Sequence, residues 1–152
     1  MDKIFESTIF NRKVFIDILD ELSLTQLNKI PQNFNNSIIW NIAHTLVTEQ
    51  LLTYGLSGLP IQIDEQFVKR FRKGTKPTSN VTKEEIKYIK EHLTSIIDKT
   101  QFDYNSGVFQ GFTSYLTSAK ITLNNIEDAI IFNNYHEGIH LGVVLSLKKL
   151  VQ

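Results

Sequence analysis

The residues with the clearest capacity for chemistry are histidines, and two of them stand in the segment YHEGIHLG as His136 and His140. On a helix, that spacing puts both rings on one face with Cβ atoms about 6 Å apart, close enough for both imidazoles to bind one ion. The pair alone is equally compatible with two histidines that make ordinary hydrogen bonds. A third ring, His44, lies on the stripe Trp40, His44, Val47, Leu51, which has the spacing of an inward-facing helix surface. A lone histidine on such a face is ordinarily a core residue satisfied by a hydroxyl or carbonyl. If the two helices are neighbours, however, His44 faces the pair, and three neutral imidazoles make a metal site with an open coordination position.

The same segment reads His-Glu-x-x-His, the zinc-protease pattern, with Glu137 as the general base for a metal-bound water. Proteases of that type take their third ligand from sequence after the motif, and LGVVLSLKKLVQ after His140 contains no His, Asp or Glu. A protease is therefore disfavoured. Glu137 stays the candidate base for a metal-dependent hydrolysis of a small molecule, with roles as a helix-surface charge or as a support for a ligand also open. Asn41, Thr48 and Asn133 stand one helical turn from His44 or His136, where each could orient a ligand ring or simply satisfy backbone groups. Trp40, Phe132 and Tyr135 suit either core or pocket wall. His92 falls on the polar side of its helix and is read as surface.

These side chains need helices to position them, and four stretches carry helical periodicity. The first runs from about Phe5 to Leu22, closed by LSLTQLNKIP, with a short turn of helix around Thr25 to Asn28. The second, from about Ser37 to Tyr54, follows the capping-competent NFNNS and stops at Gly55, Ser57, Gly58 and Pro60. From Leu59 to Asn80 the pattern is weak, and RFRKGTKPTSN reads as a basic loop over one end of the fold. Thr82 and Glu85 form a capping box for the third helix, which carries Ile86, Ile89, Leu93, Ile96 and Ile97. Gln101 to Leu123 is Gly-punctuated and β-leaning, and predicts two short strands or an ordered lid. Asn124 and Glu127 then suit the N-cap and third position of a last helix reaching about Leu150, with Lys148 and Lys149 complementing its negative end.

Composition narrows the partners. The chain has 152 residues with 41% hydrophobic content, the size of one domain, read here as a single unit over 1–152. Its 16 basic and 16 acidic side chains balance, so no long-range field recruits nucleic acid or an anionic membrane surface. There is no cysteine, so a metal must be held by nitrogen and oxygen, and any thiol must come from elsewhere. The charged start MDKIFESTIFNRK lacks the apolar stretch of a signal peptide, and no run approaches the roughly 18 apolar residues of a membrane span. The expectation is a cytoplasmic protein.

With IWNIAHTLVTEQLL supplying His44 and FNNYHEGIHLG supplying His136 and His140, the sequence resembles the DinB-like superfamily across essentially its whole length. Gly142 matches a glycine that commonly follows the pair, whereas Val143 stands where many relatives carry Gln. The resemblance implies an all-α fold, a four-helix bundle in up-down-down-up order that often pairs into homodimers. It also implies a divalent metal, usually zinc or nickel, on the three histidines. Characterised relatives include transferases and isomerases that use a low-molecular-weight thiol, while others have no known reaction. The leading expectation is a thiol-dependent transferase with a small-molecule substrate. A metal-dependent hydrolase and a non-catalytic metal-binding or stress-response module are the alternatives.

Overall fold

The computed structural model describes residues 1–152 and is 65% helical. Helix α1 spans Asp2–Glu21, α2 Leu24–Asn28, α3 Ile38–Gln50, α4 Glu65–Phe71, α5 Lys83–Asn105 and α6 Ile126–Val151. A two-stranded hairpin, β1 Tyr115–Leu116 and β2 Thr122–Leu123, precedes α6 and pairs antiparallel with Tyr115 opposite Leu123. The fold is thus all-α apart from that hairpin.

Capping side chains set most helix starts. The Ser37 hydroxyl accepts the Trp40 N–H at the start of α3, and Ser23 forms a capping box with Gln26 at α2. At α5 the Thr82 hydroxyl accepts from Glu85 N–H, while the Glu85 carboxylate accepts from Thr82 N–H at 2.8 Å. Helix α5 runs past its expected end to Asn105, because Thr100 and Asp103 are buried along the same face. It closes where Gly107 takes a φ of +68°. There Gly107 N–H reaches Tyr104 O and Val108 N–H reaches Asp103 O, the paired bonds of a Schellman ending.

Two expectations shift. The N-cap of α6 is Asn125, whose side chain accepts the Asp128 N–H at 2.8 Å. Asn124 is occupied otherwise, its N–H bonded to the Asp128 carboxylate and its side-chain oxygen accepting from Ser114. The stretch after Leu59 contains a helix, α4, which the weak pattern does not predict. Asp64 caps it by accepting from Gln66 and Phe67 N–H, and Phe67, Val68 and Phe71 are buried beneath it.

Helix α1 packs against α5 and α6, and α3 packs against α6 and α5, so the four long helices close a ring around one main apolar core. Phe15, Ile38, Ile42, Leu46, Ile89, Leu93 and Leu147 are fully buried there. Each such side chain withdraws enough apolar surface to contribute roughly 1.5–3 kcal/mol before entropy is counted. Within this ring α3 and α6 are direct neighbours, as convergence of their histidines requires. Helix α3 continues into a widened turn over Leu51–Gly55, where Leu56 N–H bonds to Leu51 O five residues back.

Candidate metal centre

The periodicities of α3 and α6 bring His44, His136 and His140 together. One potential ligand atom from each ring lies within 4.8 Å of the others. Ring centroids are 5.2 Å apart for His44 and His136, 4.9 Å for His44 and His140, and 4.5 Å for the pair on α6. Nitrogens around a tetrahedral zinc stand about 3.4 Å apart, so small side-chain rotations complete the set. Neither Asp nor Glu joins the three.

Two rings are already oriented. His44 Nδ1–H donates to the Phe71 carbonyl at 2.6 Å, and His140 Nδ1–H donates to Asn41 Oδ1 at 2.9 Å. With the proton committed to Nδ1, each ring keeps its lone pair on Nε2, the form a metal needs. Thr48 lies 3.3 Å from His44 Nε2, and Trp40 stacks on the His44 ring at 4.8 Å. His136 differs, because its buried Nδ1 has no hydrogen-bond partner. A buried polar atom without a partner carries a desolvation cost that a bound ion or solvent would relieve.

The rings are held neutral. Burial, then the proximity of His140 and His44, lowers the pKa of His136 to about 3. Burial and then His44 lower His140 to about 4. Burial also lowers His44, partly opposed by its bond to the Phe71 carbonyl. Neutral imidazoles in one place are unfavourable to protonate and ready to ligate.

A cavity of about 440 Å³ opens beside the rings, with His44 and His136 in its wall. Leu51, Leu52, Leu56 and Phe132 supply apolar surface, and Thr117 and Ser118 of the hairpin supply hydroxyls. A larger groove of about 580 Å³ runs along α1 between charged side chains and contains none of the histidines.

Other candidates settle differently. His92 stacks on Tyr88 at 3.8 Å and stands apart from the cluster. Asn41 orients a ring, as its placement allowed, but Asn133 donates to Glu137 at 3.0 Å and not to His136. Tyr135 is exposed and does not line the cavity. Glu137 is fully buried and its carboxylate is engaged by Arg12, with Nη2 to Oε1 at 2.7 Å. It is absent from the cavity wall. Two donors on the carboxylate and no access to the cavity oppose the general-base expectation for Glu137, whose geometry is that of a helix-to-helix tie.

Sequence reasoning missed Arg12, although it falls on the α1 stripe Phe5, Thr8, Arg12, Phe15, Leu19, all of which are buried. The Phe71 carbonyl also escaped notice, since it depends on a helix too short to show a period.

The DinB superfamily model matches residues 8–144, and the chain belongs to that superfamily. No curated protein matches it. The three-histidine cluster and the membership together support a metal-binding protein.

Proposed function

We propose that the chain is a metal-dependent enzyme of the thiol-transferase type, with His44, His136 and His140 holding a divalent ion, zinc or nickel. The observation that carries this reading is the commitment of two Nδ1–H groups to Phe71 and Asn41, which puts the lone pairs of both rings on Nε2 beside the third ring at the edge of an open cavity. The metal would supply stabilisation of an external thiol as its thiolate near neutral pH. His44 and His140 keep fixed tautomers, and the chain brings no cysteine to compete. Three protein nitrogens leave a position for the thiol.

The exposed side of α6 supports a homodimer. Ile131, Tyr135 and Ile139 form an apolar stripe there, and a Cβ added at Gly138 or Gly142 would meet open space within the chain.

Metal analysis of untagged protein tests the centre. Close to one equivalent of a divalent ion is expected, and His44→Ala should weaken its retention at least a hundredfold. Failure of the apo-protein to take up zinc, nickel or cobalt would refute the reading. Turnover of a small electrophile with a low-molecular-weight thiol, lost on chelation, is the expected activity. Metal uptake without such turnover across a broad thiol panel would favour a non-catalytic module.

A further inference from the structure

Charge around the cavity is one-sided. Apart from the histidines, Lys73 is the single ionisable side chain with a formal positive charge in its wall, and no Asp or Glu lines it. Lys73 makes no ion pair elsewhere in the chain. A divalent ion on the histidines would add positive charge to a wall that has nothing negative to offset it, which favours an anionic ligand.

Lys73 is also placed by a built turn. Thr75 N–H bonds to Arg72 O at 3.2 Å, and Gly74 takes a φ of +87°, which seats Lys73 at the second position of a four-residue turn. The Thr75 hydroxyl shares its contacts between Arg70 O and Arg72 O, each at 2.8 Å. This turn follows Phe71 directly, the residue whose carbonyl orients His44. One segment therefore carries both the carbonyl that orients a metal-site ring and the backbone position of the cation at the cavity wall. The same wall carries Leu51, Leu52, Leu56 and Phe132, which suit a hydrocarbon body.

We propose that this cavity takes a small organic acid, with its carboxylate paired to Lys73, its apolar body against those four side chains, and its other end toward the histidines. The proposal rests on the metal-centre reading above and names the class of molecule that the centre serves. Lys73 is then a specificity-determining residue.

The test uses the full-length protein loaded with cobalt, whose uptake is measured first. The probes are 6-mercaptohexanoate and its methyl ester, which share a thiol and a chain and differ in charge. Thiolate-to-cobalt absorption reports binding of either without any reaction. In the wild type the acid should bind about fivefold more tightly than the ester, a modest ratio because Lys73 is solvent-accessible. Lys73→Met should erase that preference and leave ester affinity unchanged, and Lys73→Glu should reverse it. Both substitutions fall on an exposed turn, outside the core. Equal binding of acid and ester by cobalt-loaded wild type, or a preference that survives in Lys73→Met, would overturn the proposal while leaving the metal centre standing. Absence of uptake of cobalt, zinc and nickel alike would overturn the metal-centre reading, and this proposal with it.

Discussion

His44 and His140 each spend a ring N–H on a protein oxygen, and those oxygens come from different elements, Phe71 at the end of α4 and Asn41 on α3. Fixing the ring through its far nitrogen is worth roughly 10–100-fold in metal affinity. Asn41→Ala is thus expected to weaken zinc binding by about tenfold while leaving the fold intact, as a competition titration against a chelator would show. Unchanged affinity would mean that the Asn41 bond is incidental. Acid sensitivity follows from the same rings. The pKa values of His136 and His140 are lowered to about 3 and about 4, below the roughly 6.5 of a free imidazole. Between those limits the unfolded chain binds more protons than the folded one, so the metal-free protein gains stability as pH rises through the window and loses it on acidification. Urea midpoints of the apo-protein should fall between about pH 6.5 and 4, and less steeply in His136→Phe. At this scale the three histidines were legible because their spacing reports helix faces. Lys73 and the Phe71 carbonyl were not, since neither has a periodic neighbourhood to announce it.

Arg12 ties three long helices together, pairing with Glu137 on α6 and donating to Leu93 O on α5 at 3.2 Å. Burial opposes its charge, but the nearby Glu137 and Glu49 carboxylates more than offset that and raise its pKa. Removing one partner of a buried pair strands the other, at a cost of about 3–5 kcal/mol. Arg12→Leu should therefore lower stability by about 3 kcal/mol in urea denaturation, far more than a surface substitution such as Lys3→Ala. A loss below about 1 kcal/mol would show that the tie is dispensable. The elements themselves were well marked wherever a cap or a long apolar stripe existed, as at Thr82 and along Ile86 to Ile97. Helix α4 was invisible because the seven residues Glu65–Phe71 are too few to establish a period. The continuation of α5 to Asn105 was hidden because Thr100 and Asp103 face inward as polar residues, each hydrogen-bonded to a partner on α3 or its widened turn.

Across the whole molecule, the ring of long helices places the histidines of α3 and α6 in contact while the α4 turn and the hairpin complete the cavity wall. No helix is long and apolar enough to cross a membrane. The proposed pairing through α6 predicts a dimer in sedimentation velocity, and Ile139→Glu should convert it to a monomer without unfolding it. A wild-type monomer at high concentration would contradict the pairing but not the site, which lies within one chain. The central claim is that three imidazoles of this chain hold one divalent ion and leave it a free position. X-ray absorption at the zinc edge of the zinc-loaded protein measures that directly. The account predicts three imidazole ligands and one light atom, with a sulfur scatterer at about 2.3 Å after addition of a small thiol. Fewer than three imidazoles, or a sphere that admits no sulfur, would contradict it.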